Sequence, residues 1–116
     1  ARVGLAAGFN LANIRGVSAD TWAGADQGDV YEELDNMLIP GGADGVNWKS
    51  SMAQDIAKGR RSETDFMNGF VAETGRKAGV STPVTDAVIE VMAAIDAKKL
   101  DPSPDNIELT LRKAGL

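Results

Sequence analysis

The stretch SSMAQDIAKGRRSETDFMNGF, residues 50–70, holds the residues of this chain best suited to chemistry. Ser51, Asp55, Glu63 and Asp65 fall on either side of Gly59, which separates two helical runs. Carboxyl groups of this kind, with a shifted pKa, transfer protons. The composition narrows the choice. There is no histidine and no cysteine. A serine–histidine triad, a thiol nucleophile and a Cys/His zinc site are therefore excluded, and a general acid near neutral pH must be Lys, Glu or Asp. No GxGxxG follows a strand, and no GxxxxGK[ST] loop is present, so neither common phosphate cradle can form. Glu63, at the start of a helix just past the Gly59 turn, is the sharpest candidate. Ser51, in the first turn of the preceding helix, is its candidate partner. The plainer reading is helix punctuation. An acid in a first turn gains about 0.3–1 kcal/mol from the helix dipole, serine is a common cap, and Asp55 and Asp65 suit solvated or capping positions. Strict antiparallel packing would put Ser51 and Glu63 at opposite ends of the pair, so a shared site requires a steep crossing.

The elements that must position these residues are helical almost throughout. Val3, Leu5 and Ala6 read as the end of a helix stopped at Gly8. "FNLANIRGV" is irregular or extended. Ser18 caps a short helix carrying Trp22. Val30, Leu34, Met37 and Leu38 recur at helical spacing, and Pro40, Gly41 and Gly42 end that run before a loop. Ser50 can cap the next helix, whose inner face carries Met52 and Ile56. Gly59 stops it. Ser62 with Asp65 resembles a capping box, and the helix that follows is expected to bury Phe66, Met67, Phe70, Val71 and Thr74. Gly69 interrupts that helix at about 1 kcal/mol relative to alanine, which predicts close approach of another backbone. Asn68 is a mediocre helix former whose amide could bond to a loop. After Gly79, Thr82-Pro83 starts a helix with an apolar stripe of Val84, Val88, Val91 or Met92, and Ile95. Lys98 and Lys99 sit at its negative end. Ser103-Pro104 starts a last helix with Ile107, Leu109 and Leu111. The sum is a compact all-α bundle of about six helices, with no convincing strand. Trp22 and Trp48 read as core residues.

A chain of 116 residues suits a single domain over 1–116. Hydrophobic residues at 43% and a charged fraction of 25% place it among globular proteins rather than disordered ones. A net charge of −5 argues against a nucleic-acid partner, which needs a basic stripe, and a pair such as Arg60-Arg61 does not make one. No apolar run approaches the roughly 20 residues of a membrane span, so no membrane partner is expected. No signal peptide is visible, and with no cysteine a cytoplasmic location is expected. The acids of "DQGDVYEELD" lack the oxygen and glycine pattern of a calcium loop, so no metal is expected. The opening "ARVGLAAG" reads like a helix already in progress.

Taken in order, Ser51-Met52-x-Gln54-Asp55, Gly59-Arg60-x-x-Glu63-x-Asp65, Asn68-Gly69 and Gly79-Val80-x-Thr82-Pro83 resemble the C-terminal domain of ketopantoate reductases, also called 2-dehydropantoate 2-reductases. The match is strongest from Ser50 to Pro83. The resemblance implies a two-domain NADPH-dependent oxidoreductase. An N-terminal Rossmann domain holds most of the NADP cofactor, and an all-α C-terminal domain closes the cleft over a small 2-keto acid on the route to pantothenate. It implies that Ser51 binds substrate and that Glu63 lies at the cofactor–substrate junction. Ser62 stands where the family usually has threonine. Thr64 replaces a usual aliphatic residue, which could loosen packing. The family's proton-donating lysine, on an earlier helix and followed by asparagines, has no counterpart here; Lys49 has the wrong setting. No catalytic residue is therefore assigned in this chain. It is expected to be the C-terminal, substrate-side domain without its Rossmann partner, unable to catalyse alone. The alternative is a non-catalytic helical module that associates, for example as a homodimer through the helical domain.

Overall fold

Most helix ends in this chain are set by short-range chemistry. The computed structural model describes residues 1–38 and 50–116. Among them are seven helices and no strand: α1 Arg2–Ala6, α2 Ala19–Ala23, α3 Gly28–Leu38, α4 Ser51–Ala57, α5 Thr64–Ala78, α6 Pro83–Asp96 and α7 Asn106–Ala114. The all-α expectation holds. The stop at Pro40, Gly41 and Gly42, the loop after it, Trp48 and Lys49 lie outside the described residues. The chain divides into two compact units, Ala1–Asn47 and Trp48–Leu116.

In the first unit α1 packs on α2. Arg2 ties them together: its Nε donates to the Ala23 carbonyl at 2.6 Å, and its guanidinium pairs with Asp26. That hydrogen bond holds the Asp26 carboxyl below its ordinary value. The Ser18 hydroxyl caps α2 by accepting from the Thr21 N–H at 3.2 Å. The "irregular" segment before it contains a two-residue turn. Arg15 and Gly16 both have positive φ, and Ile14 and Val17 exchange backbone hydrogen bonds across them, as a type I′ turn requires. Trp22 is half-buried and its indole N–H donates to the Ile14 carbonyl at 3.3 Å, a structural role. Leu34 is the buried residue of α3.

In the second unit α6 is central and packs against both α5 and α7. Ser50 caps α4, its hydroxyl accepting from the Ala53 N–H at 3.3 Å. Gly59 ends α4 at φ 69°, and the Arg60 N–H then reaches back to the Asp55 carbonyl at 2.8 Å. A side chain at this left-handed position would be strained, hence the glycine. Pro83 opens α6. The end of α6 uses the same left-handed stop without glycine: Lys98 takes φ 56°, and the Lys99 N–H bonds to the Ala94 carbonyl at 2.9 Å. The two lysines therefore sit just past the negative end of the helix, as expected. α7 begins at Asn106, two residues later than expected, after a turn in which the Ser103 hydroxyl accepts from the Asp105 N–H.

The buried face of α5 is not the predicted one. Thr64, Ala72 and Gly75 are buried, while Phe66, Met67, Phe70 and Val71 are exposed, Phe66 by 82%. Small residues let α5 approach α6 closely, so packing chose the small stripe over the bulky one. On α6 the buried line is Ala87 and Val91; Val84 is exposed, and Val88, Met92 and Ile95 are half-buried. Ile107 and Leu111 of α7 are exposed as well. Gly69 faces open space, with nothing within 4 Å of a Cβ placed on it. No backbone approaches it, contrary to expectation. Replacing Gly69 by alanine should therefore raise stability by about 0.4–1 kcal/mol, read as a higher urea midpoint. A lower midpoint would mean that something does pack there.

Candidate functional site

The turn between α4 and α5 is built from residues whose short-range preferences conflict. Arg60 and Arg61 are adjacent, and each pairs with a different helix. Arg60 Nη1 lies 3.6 Å from Asp55 Oδ1 on α4, while Arg61 pairs with Asp65 on α5. These exposed pairs contribute about 0–1 kcal/mol each. They do more to sort the acids of the stretch. Asp55 and Asp65 are partnered, whereas Glu63 is exposed and its side chain makes no hydrogen bond or ion pair with another described residue.

Glu63 is not in the first turn of α5. It is the residue before the helix, with φ −89° and ψ 14°, and its side chain caps nothing. That backbone conformation lies in the sparsely populated bridge region. The residues on both sides of it are anchored. Ser62 is 5% exposed and Thr64 is 2% exposed. Ser62 does not form the expected capping box with Asp65. Its N–H donates to Asp96 Oδ1 at 2.9 Å and its hydroxyl donates to Asp96 Oδ2 at 2.7 Å. Both oxygens of one carboxylate thus hold the residue preceding Glu63. The Ser62 hydroxyl also lies 3.0 Å from Thr64 Oγ1, and Thr64 Oγ1 donates to Met52 Sδ at 3.7 Å. Thr64 is buried and bonded, so the expected loosening at this position is absent.

The Met52–Thr64 contact bears on the question of crossing. It joins the first turn of α4 to the first turn of α5, so the starts of the two helices meet. Ser51 and Glu63 are the chain neighbours of the two residues in contact. Ser51 is exposed, and its hydroxyl makes no bond to another described residue because Ser50 supplies the cap. The pair therefore flanks one contact, with both polar groups free toward solvent. Neither residue lines the cavities found among the described residues. One, of about 210 Å³, lies beside Arg60, Asp96 and Lys98. Another, of about 310 Å³, is an apolar groove among Ile56, Val88, Met92, Ile95 and Ile107. Asn68 is half-buried and makes no side-chain bond to a described residue.

Asp96 went unread in the sequence. The available signal was its place as the last residue of α6, where the helix dipole disfavours an acid by about 0.3–1 kcal/mol. Two charge-assisted hydrogen bonds to Ser62 offset that cost. Among the described residues no group of three acidic side chains is placed to hold a metal ion, and no helix is long and apolar enough to cross a membrane.

Helices meeting at a glycine turn, with the side chains of a serine and a glutamate left free beside the meeting point, belong to an all-α domain. Residues 8–96 match the family described as Ketopantoate reductase PanE/ApbA C terminal, and the chain belongs to that family. Over 47 residues it is 36% identical to the 2-dehydropantoate 2-reductase of Vibrio cholerae, which covers 40% of this chain and 16% of that protein. Over 49 residues it is 29% identical to the 2-dehydropantoate 2-reductase of Archaeoglobus fulgidus, covering 42% of this chain and 17% of that protein. These alignments span about a sixth of the length of those curated relatives. No solved structure matches the chain.

The cap assignment separates the two serines. Ser50→Ala should cost about 1 kcal/mol of stability, while Ser51→Ala should change it by less than about 0.5 kcal/mol. Denaturant unfolding of both variants checks this. Equal losses would return Ser51 to a capping role.

Proposed function

We propose that this chain is the helical, substrate-side domain of an NADPH-dependent reductase acting on ketopantoate or a related small 2-keto acid. The observation that carries the reading is the sorting of polar groups at the Gly59 turn. Asp55 and Asp65 are neutralised by the two arginines, Ser50 does the capping, and Ser51 and Glu63 are left free beside the Met52–Thr64 contact. In this proposal the Ser51 hydroxyl donates to the anionic keto acid, a charge-assisted bond. The Glu63 carboxylate stands at the substrate–cofactor junction.

A dinucleotide needs a strand, a glycine-rich turn and a helix N-terminus for its pyrophosphate. The sequence has no such motif and the described residues hold no strand. NADP does not fit on these residues alone, and in the proposal another domain of the same protein supplies most of its site. The proton donor is likewise placed elsewhere, since the first lysine of this sequence is Lys49.

A second reading draws on a different observation. Phe66, Met67 and Phe70 are exposed together along α5, and clustered exposed apolar residues favour association. In that reading the domain is a dimerisation module.

One set of assays separates the two. The full-length protein carrying this sequence should oxidise NADPH in the presence of a 2-keto acid, and the 116-residue chain alone should not. Ser51→Ala should raise KM for the keto acid and Glu63→Gln should lower kcat/KM, each by about 10-fold or more, the worth of a hydrogen bond to a charged group. Absence of keto-acid reduction in the full-length protein, together with concentration-dependent self-association, would favour the second reading.

A further inference from the structure

We infer that Asp96 is a positioning residue for Glu63: the last side chain of α6 sets the aim of the candidate carboxylate by gripping the residue before it. The inference rests on the reading of Glu63 given above. Asp96 and Ser62 are 34 residues apart in the chain, and two hydrogen bonds of 2.9 and 2.7 Å join them through both oxygens of the one carboxylate. One bond takes the Ser62 backbone N–H and the other its side chain, so both the peptide plane and the rotamer of Ser62 are held. Thr64 on the other side is buried, with its hydroxyl against that of Ser62 and donating to Met52 Sδ. Glu63 is then the one outward-facing residue between two buried ones.

An acid at the last position of a helix is also poorly placed for that helix. Asp55 and Asp65 pair with nearby arginines, Arg60 and Arg61, while the Asp96 carboxylate takes Ser62. What is required of Asp96 is geometry rather than charge. An asparagine could accept the Ser62 N–H through its carbonyl oxygen and donate to the Ser62 hydroxyl, which would still reach Thr64.

The test uses the full-length protein with NADPH and a 2-keto acid, comparing Asp96→Ala, Asp96→Asn, Ser62→Ala and Glu63→Gln singly and in combination. Asp96→Ala should lower kcat/KM by about 10- to 100-fold, the scale of a small misplacement of a reacting group. Asp96→Asn should stay within a few-fold of wild type. In the Glu63→Gln background Asp96→Ala should have little further effect, because the two act through one group. If Asp96→Ala does not fold, Ser62→Ala removes one of the two bonds and should show a smaller loss, again absent in the Glu63→Gln background. Losses that multiply in the double variants, or unchanged kcat/KM in both Asp96→Ala and Ser62→Ala, would overturn the positioning role while leaving Glu63 in place. A wild-type protein inactive on 2-keto acids would instead overturn the functional reading, and this role with it.

Discussion

The second unit depends on one carboxylate at the end of α6. Asp96 ties the C-terminus of the central helix to the entry of α5, and nothing within the turn itself could do so. Gly59 permits the reversal but does not define it, since a glycine at positive φ leaves many exits open. The Asp96–Ser62 contact selects one of them. With Ser62 held, Thr64 is buried, Met52 is brought against it, and the first turns of α4 and α5 meet. Ser51 and Glu63 share a neighbourhood only because that sequence of contacts closes.

The same closure explains why α5 turns its small face inward. A helix starting at a buried Thr64 has its next inward positions at Ala72 and Gly75, along one line of the 3.6-residue period. The bulky Phe66 and Phe70 fall on the opposite side. Hydrophobicity alone favours burying the phenylalanines, and they lose because the anchored entry fixes the rotation of the helix. The result is an exposed apolar row along α5. Gly69 is left there with space around it.

Membership in the ketopantoate reductase C-terminal family was legible from the order of short motifs around Gly59 and Gly79, and the family match over residues 8–96 agrees with it. The motifs are legible because each is local. Ser18 and Ser50 cap, Gly59 and Gly79 stop, and Pro83 starts, all through bonds within a few residues. Where a local rule had a distant competitor it failed. Ser62 looked like a capping box and instead gave its hydroxyl to a carboxylate 34 positions away. Phe66 and Phe70 looked like the buried face of α5 and are exposed, because the packing partner took the small stripe instead.

The sequence by itself determined the helical class, the places where most helices begin and end, and the family. Those follow from backbone hydrogen bonding and side chains acting on their own neighbours. Only the tertiary structure decided which of the clustered acids are neutralised, which serine caps, which face of α5 is buried, and that Asp96 governs the turn. Those outcomes turn on pairings between residues far apart in the chain, and on rotations about helix axes. Periodicity reports that a helix has faces; it does not say which face the rest of the chain will cover.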